Sequence, residues 1–419
     1  MRKSLTIAAG VGGLLTLVLG AAGPASADVQ PNPGDVTGVG SDTVQYVADF
    51  VDNGYNATGT AINGYNTIPK VFKIFNFDAT ADAAGRAQYS STGRDATGPF
   101  PSAIVLRAGG FPYYRAQGSG DGIGDLNRDT TAPYKINFVR SSRLPSPGEQ
   151  TTAGTNGFGP ANAGLHVFRI ATDGLDLAIN NKAANVTAGD PLSCAPTDGL
   201  TVAELVDIYK GNTTTWGALA NYATRGPASP GTCATEPIAA MHPDKSKSGT
   251  GKDFDGDLKA ANGAVAITYG SDIINVEEHD PAPLSVAGTL PSSHTAYGPQ
   301  DTIAPFSTGR YNLIQKGYFD HVMDLHGVTS SVYKDSIALQ QAGVGSVAAG
   351  AYHKARTLYI VVRENDLASA TPFLPGGSLN FVNTFFGSSS SWYAKSANAA
   401  AFTAAGVTQS WADLGNASA

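Results

Sequence analysis

The chain alternates between short apolar runs, which predict strands, and amphipathic stretches, which predict helices. Apolar residues recur every three or four positions over residues 43–55 and 201–210, and Thr201 suits a helix cap. Residues 358–362 form an unbroken apolar run of strand length. This alternation predicts an α/β protein with mostly parallel sheets.

The same patterns predict shorter elements along the rest of the chain. Predicted strands cover residues 68–77, 104–107, 134–138, 165–170, 175–180 and 238–241, and a further short apolar segment covers 265–269. Predicted helices begin at 122–126 and cover 254–261, 318–325, 378–386 and 391–404. Residues 80–101 are interpreted as a polar, glycine-containing excursion.

Clusters of Gly, Ser and Thr occur where three predicted loops give way to helices, at residues 38–43, 118–123 and 248–250. A helix start has unpaired N–H groups and the positive end of a dipole, and Ser and Thr hydroxyls add further donors. One such cluster is ordinary capping. Three in one chain suggest helix ends that converge on a small oxyanion.

The first residues have the features of a secretory signal. Arg2 and Lys3 precede an apolar stretch over residues 7–19, and small residues at 25–27 form a cleavage site. We therefore expect residues 1–27 to be a signal peptide cleaved after Ala27, and the product to be secreted. No cysteine follows the apolar stretch, so we expect no lipid anchor, and no later run has the ~20 apolar residues of a membrane span.

The charge balance limits the classes of partner. The formal net charge is −7, and removal of the signal peptide would make it more negative by taking away the positive charges of Arg2 and Lys3. An acidic, charge-poor surface argues against nucleic acid or an anionic membrane as a partner. An anion site would have to be built from local dipoles and a few basic residues.

Cys194 and Cys233 are the two cysteines of the chain. Both lie in segments rich in Pro, Gly and Thr, and an exported pair is most simply a disulfide. A catalytic thiol pair would more often be closely spaced.

Metal-binding patterns are incomplete. Asp125, Asn127 and Asp129 have calcium-loop spacing, but Thr130 stands where that loop requires glycine and Ile136 where it requires glutamate. We expect no metal site and no cofactor.

Several segments match, in order and spacing, the motifs of a known family, and together they span most of the mature chain. They are residues 38–43, 118–123, 137–142, 177–180, 200–216, 238–250 and 356–359. In this order they resemble the phosphate-binding component of phosphate ABC importers, which has the type II periplasmic-binding-protein fold. The chain looks like a divergent, secreted member of that family.

The resemblance implies an α/β fold of two lobes with a ligand cleft between them. Lobe 1 would comprise residues 28–167 and 309–419, and lobe 2 would comprise residues 168–308. The binding groups, carried over position by position or placed beside those positions, would be Ser41, Asp42, Thr43, Ser119, Gly120, Ser141, Ser142, Arg143, His242, Ser248, Gly249 and Thr250.

The chain departs from the family pattern at charged positions. Ser142 stands where the family has a proton-accepting aspartate, and the family's arginine falls near His242. One interpretation is that Asp42 accepts a protonated ligand oxygen while Arg143 or His242 supplies positive charge. The other is that the site takes a different small polar ligand.

From these features we expect a solute-binding protein, not an enzyme, that reversibly captures phosphate or a similar oxyanion as a monomer. An ABC permease is a candidate partner, and a scavenging or sensing role stays open. Two alternatives remain. A secreted phosphoesterase-like enzyme would use Asp42 or His242 as an acid or base, and a surface interaction protein would contact a partner through residues 55–114, within the long insertion 55–117.

Overall fold

A computed structural model gives the structure of the chain. It describes residues 31–55, 62–70, 72–79, 103–110, 113–181, 191–228, 231–243, 248–276, 278–285, 297–316, 333–368 and 380–419. The predicted excursion at 80–101 and the predicted helix at 318–325 lie outside these residues.

The strands form one large sheet and one small one. They are β1 (Val36–Gly40), β2 (Ile74–Asn76), β3 (Ala103–Ile104), β4 (Tyr113–Tyr114), β5 (Phe138–Ser141), β6 (Leu165–Asn180), β7 (Ala239–Pro243), β8 (Ile274–Val276), β9 (Thr302–Ser307), β10 (Ile337–Gln340), β11 (His353–Arg363) and β12 (Thr408–Asp413). The large sheet has the order β2-β1-β5-β11-β6-β9-β7-β8, with β10 and β12 also paired to β6. Strands β3 and β4 pair separately.

The large sheet is mixed, and the prediction of mostly parallel sheets is wrong. Strand β1 pairs in parallel with β2 and β5, and β7 pairs in parallel with β8 and β9. Strand β11 is antiparallel to both β5 and β6, and β6 is antiparallel to β9. The long β6–β11 ladder depends on pairing between residues far apart in the chain, which an apolar pattern does not specify.

The two strands predicted at 165–170 and 175–180 are one strand of 16 residues, β6. The polar residues between them suggested a break. In the structure, the Asp173 carboxylate forms an ion pair with the Arg356 side chain of β11, at 2.8 Å. Because this partner compensates the buried charge, the strand can continue through Asp173.

The helices mostly agree with the periodicity. They are α1 (Asp42–Asn53), α2 (Ser119–Arg128), α3 (Pro147–Thr155), α4 (Val202–Tyr209), α5 (Tyr222–Arg225), α6 (Gly249–Ala261), α7 (Ala282–Ser285), α8 (Thr308–Gln315), α9 (Asn365–Ala368), α10 (Phe381–Phe385) and α11 (Ala399–Ala404). Thr201 caps α4 as predicted, and its hydroxyl accepts from the Glu204 N–H at 3.3 Å. The segment 265–269 is not a strand, and the strand predicted at 68–77 is confined to β2.

The apolar core divides along β6. Phe168 and Ile170 of its first half pack in a cluster with α1 and the C-terminal helices. Leu175 and Leu177 of its second half pack with α4 and α6. Tyr352, which the predicted division assigns to lobe 1, packs in the second cluster, and the lobe limits themselves stay a prediction.

The predicted disulfide is confirmed: Cys194 and Cys233 are bonded, with their Cα atoms 5.4 Å apart. Both are buried in the cluster that contains the second half of β6. Over the described ranges, no helix combines the length and the apolar character that a bilayer crossing needs.

Candidate functional site

The carboxyl ends of β1 and β5 lie side by side and begin the candidate site. The two strands are parallel neighbours, with Gly40 opposite Arg140, so the residues that follow them emerge at one edge of the sheet. The Ser41 N–H donates to the Arg140 carbonyl at 2.9 Å. Gly40 has a φ of 115°, which an L side chain rarely adopts, so glycine suits the turn into α1.

Helix α2 adds a second helix start at this edge. Its Gly122 packs on Gly40 so closely that a Cβ at Gly122 would collide with the Gly40 backbone. The approach places Ser119 beside Ser142: their hydroxyl oxygens lie 3.2 Å apart, and the Ser142 N–H donates to Ser119 Oγ at 3.0 Å.

Helix α6 brings the third helix start from the other side. Ser248 caps it by accepting from the Gly251 N–H at 2.9 Å. A Cβ on Gly249 would come within 3.0 Å of the hydroxyl oxygens of both Ser119 and Ser142. Glycine therefore lets the α6 start meet the serine pair at this distance.

The first turns of α1 and α6 also meet directly. Thr43 Oγ1 and Thr250 Oγ1 lie 3.2 Å apart, and both side chains are buried. The structure thus brings most of the residues predicted for the site to one junction: Ser41, Asp42, Thr43, Ser119, Ser141, Ser142, Ser248, Gly249 and Thr250. Gly120 follows Ser119 in the first turn of α2, and the Ser141 hydroxyl donates to the Arg143 carbonyl at 2.6 Å.

Sequence analysis missed Glu278, the carboxylate at the centre of this junction. Its Oε1 accepts from Thr43 at 2.5 Å and from Thr250 at 2.9 Å, and its Oε2 accepts from Ser248. Only 5% of Glu278 is exposed. Three hydroxyls on two different helix starts therefore donate to one buried carboxylate.

Among the described residues, Arg356 supplies the positive charge nearest these hydroxyls. Its guanidinium donates to Thr250 Oγ1 at 2.7 Å and to Thr43 Oγ1 at 3.5 Å, and it forms the ion pair with Asp173. Burial disfavours the charged guanidinium, but the negative charges of Asp173, Asp253 and Glu278 outweigh burial and raise the pKa of Arg356. The arginine therefore stays charged beside the site.

Asp42 is held by two other groups. Its Oδ1 accepts from Arg310 Nη2 at 3.0 Å, and its Oδ2 lies 3.0 Å from His279 Nδ1. All three side chains are buried. His279 follows Glu278 in the chain, so the contact with Asp42 also fixes the backbone that carries the central carboxylate.

The structure does not support the sources of positive charge predicted at Arg143 and His242. The Arg143 guanidinium binds both carboxylate oxygens of Glu149, at 2.7 and 2.9 Å. The His242 ring contacts Asp255 Oδ1 at 2.7 Å and the Tyr269 hydroxyl at 3.0 Å. Both residues were plausible in sequence because they adjoin the motifs, but in the structure their side chains have other partners.

Among the described residues, one group has an arrangement that could hold a metal ion. The ligand atoms of Asp42, Glu278 and His279 lie within 4.8 Å of one another. Arg310 already pairs with Asp42, and three hydroxyls donate to Glu278. Positive charge and donors surround these carboxylates, an arrangement that suits an anion better than a cation.

Ser41 Oγ and His279 Nε2 are buried at the junction, and neither has a hydrogen-bond partner within the described part of the chain. Buried polar atoms are nearly always satisfied in folded proteins by protein groups, water or a ligand. They therefore mark a place where a bound molecule or water has atoms to contact.

The family model described as the PBP superfamily domain matches residues 107–374, which include Ser119, Ser142, residues 248–250, Glu278 and Arg356. The chain belongs to the PBP superfamily. Its mixed α/β architecture is that of the two-lobed periplasmic-binding-protein fold, as the sequence resemblance implied.

Three solved structures are similar to this PBP-superfamily chain at low identity. An ABC-type phosphate transport receptor from Vibrio cholerae is 14% identical, with a TM-score of 0.43, over 90% of this chain and 100% of that one. A possible phosphate binding protein from Planctomyces limnophilus is 16% identical (TM-score 0.33; 79% and 82% covered). A human phosphate binding apolipoprotein is 12% identical (TM-score 0.40; 89% and 90% covered). No curated protein matches the chain.

Proposed function

We propose that this protein reversibly captures phosphate or a similar small oxyanion at the junction of α1, α2 and α6. The observation that carries the proposal is the convergence of Thr43, Ser248 and Thr250 on a single carboxylate. Hydroxyl donors that are complementary to carboxylate oxygens are also complementary to the oxygens of a tetrahedral oxyanion.

The electrostatics of the junction support an anionic ligand. Each helix start contributes unpaired N–H groups and the positive end of its dipole, worth about 0.3–1 kcal/mol per contact and more when partly buried. Arg356 adds a full charge behind the two threonine hydroxyls. A hydrogen bond to a charged group contributes about 1.5–3 kcal/mol, so several together would hold a small anion against its loss of hydration.

Capture at this place requires the two sides of the junction to separate and close again. Gly249 packs directly on the hydroxyls of Ser119 and Ser142, so a ligand can enter only when α6 moves away from them. Hinged movement of two lobes around a ligand is a common mechanism in binding proteins. The long strands β6 and β11 would connect the moving parts.

We also propose that the protein acts outside the cell after cleavage behind Ala27. The charged start, apolar stretch and small residues of the first 27 positions support export. Sequencing the amino terminus of the protein recovered from culture medium should give Asp28 first. Retention inside the cell with an intact amino terminus would contradict this part of the proposal.

Calorimetric titration of the dialysed protein tests the binding function directly. Phosphate and arsenate, which share shape and charge, should each release or absorb measurable heat and raise the melting temperature, and sulfate tests selectivity among tetrahedral anions. Absence of both heat and a melting shift for all three anions at millimolar concentration would overturn the proposed function.

A further inference from the structure

The carboxylate of Glu278 occupies the place that the donors of the site would give to a ligand. Thr43, Ser248 and Thr250 each direct a hydroxyl hydrogen bond at it. These same groups are the donors that the proposed function assigns to an oxyanion. A carboxylate and an oxyanion cannot both accept the same hydroxyl protons, so the two must compete.

The charges around the site lead to the same conclusion. Two buried arginines, Arg310 and Arg356, face three buried carboxylates, those of Asp42, Asp173 and Glu278. Adding an oxyanion to this set would place at least four acidic groups against two arginines in a region with little solvent. Since an uncompensated buried charge is strongly unfavourable, one of the resident carboxylates has to leave.

Glu278 is the carboxylate best suited to leave. Asp173 is tied to Arg356, to the Ser307 hydroxyl at 2.8 Å and to the Gly309 N–H at 3.0 Å. Asp42 is tied to Arg310 and His279. Within the described residues, the hydrogen bonds of the Glu278 side chain go to the three hydroxyls, the donors an incoming anion would take over, and His279 Nδ1 lies 3.7 Å from its Oε1.

The backbone next to Glu278 is strained while the Glu278 carboxylate binds the three hydroxyls. His279 has a φ of 61°, in the left-handed region that non-glycine residues seldom adopt. Such strain persists where surrounding contacts hold it, and here the His279 ring contacts Asp42 at 3.0 Å. Withdrawal of Glu278 would allow this strain to relax.

We propose that Glu278 is a built-in competitor, a carboxylate that holds the hydroxyl donors in the free protein and withdraws when an oxyanion binds. This inference rests on the proposed function, since the competitor and the ligand share one set of donors. A protein whose binding-competent state is only partly populated binds with an affinity reduced by that fraction. Glu278 therefore sets the concentration of anion at which the protein loads.

The test compares phosphate affinity in Glu278→Ala and Glu278→Gln with that of the unmodified protein, by calorimetry in dialysed samples. Both variants remove the competing charge, and the glutamine keeps the side-chain volume if the alanine variant fails to fold. The expected result is a dissociation constant at least about ten-fold lower than that of the unmodified protein. Glu236→Ala is the matched control, because Glu236 binds the Thr232 hydroxyl at 2.7 Å on a loop near the disulfide, and its affinity should not change.

The possible outcomes distinguish failure of the competitor role of Glu278 from failure of the proposed anion binding. Phosphate binding that is unchanged or weaker in both Glu278 variants, while the unmodified protein binds, overturns the competitor and leaves the proposed function standing. Failure of the unmodified protein and of all variants to bind any of phosphate, arsenate or sulfate overturns both. Tighter phosphate binding by both Glu278 variants, beside measurable but weaker binding by the unmodified protein, would support the competitor most strongly.

Discussion

Thr43 and Thr250 place their hydroxyl oxygens 3.2 Å apart although 207 positions separate them in the chain. Both hydroxyls donate to the same oxygen of Glu278. Each threonine lies in the first turn of its own helix, so the donor set exists only while α1 and α6 approach each other. Changes that push the two helix starts apart should therefore affect anion binding more than changes confined to one helix.

Gly249→Ala should weaken phosphate binding by at least about ten-fold. The new methyl group would come within 3.0 Å of the hydroxyl oxygens of Ser119 and Ser142, so the α6 start would have to retreat. Losing even one charge-assisted hydrogen bond costs about 1.5–3 kcal/mol, which corresponds to roughly ten-fold or more in affinity. Calorimetric titration of the purified variant measures the change.

Gly256→Ala is the control on the same helix. A Cβ at Gly256 has nothing within 4 Å, so phosphate affinity should stay as in the unmodified protein. The exchange should stabilise α6 by about 0.5–1 kcal/mol, because glycine is costly inside a helix. Equal affinities in the two alanine variants would show that the close approach at Gly249 is not needed for binding.

Arg356→Met should lower the free energy of unfolding by about 3–5 kcal/mol, since it leaves the buried Asp173 carboxylate without its charged partner. Urea unfolding measures the loss. Adding Asp173→Asn to the variant should recover part of it. Lys354→Met removes a half-exposed partner of Asp257 and should cost less than about 1 kcal/mol. Losses of the same size in the Arg356 and Lys354 variants would contradict this account.

Replacing both Cys194 and Cys233 with alanine should lower the free energy of unfolding by about 4 kcal/mol. The disulfide joins residues 39 positions apart, and the chain-entropy model assigns this cost to losing the loop it closes. Both cysteines lie in the apolar cluster that contains the second half of β6, and none of the junction's hydroxyl residues belongs to that cluster. Phosphate affinity of the folded variant should therefore match that of the unmodified protein. Lost affinity at full folding would indicate that the disulfide positions the site.

Asp366 should make the protein less stable as the pH rises from 4 to 6. Burial raises the pKa of Asp366 to about 6, although the neighbouring Arg363 opposes the shift. The folded protein thus holds this proton more tightly than the unfolded chain, so its contribution is present below the unfolded pKa and is lost as pH rises through the folded one.

A shift from 3.8 to about 6 corresponds to roughly 3 kcal/mol over the whole titration, of which roughly 2 kcal/mol falls between pH 4 and pH 6. Asp366→Asn cannot ionise and should remove that part of the pH dependence. Urea unfolding of both proteins at pH 4 and pH 7 gives the comparison. An identical change between the two pH values in variant and unmodified protein would contradict the assignment.

The helix starts of the site could be predicted because their chemistry is local. Residues such as Ser248 suit a cap, glycine suits the tight approach at Gly249, and the order of these clusters matches a family pattern. Sequence alone could not show that Thr43 meets Thr250, because that contact depends on how the distant starts of α1 and α6 pack against each other.

The charged members of the site escaped prediction for the same reason. Arg356 and Asp173 lie inside strands, where each interrupts an apolar pattern, and only the antiparallel register of β6 and β11 makes them partners. Glu278 stands in a short run of acidic residues, which in a sequence usually indicates a solvated loop. Arg143 and His242 adjoin the motifs more closely in the chain, yet their side chains have other partners.

A crystal structure of the protein soaked with arsenate, with arsenic located by its anomalous scattering, tests the central claim most directly. The account predicts one arsenic position at the junction, with its oxygens accepting from Thr43, Ser248 and Thr250 and with Glu278 withdrawn from these hydroxyls. Arsenic bound only elsewhere, or absent while Glu278 still holds all three hydroxyls at millimolar arsenate, would contradict it.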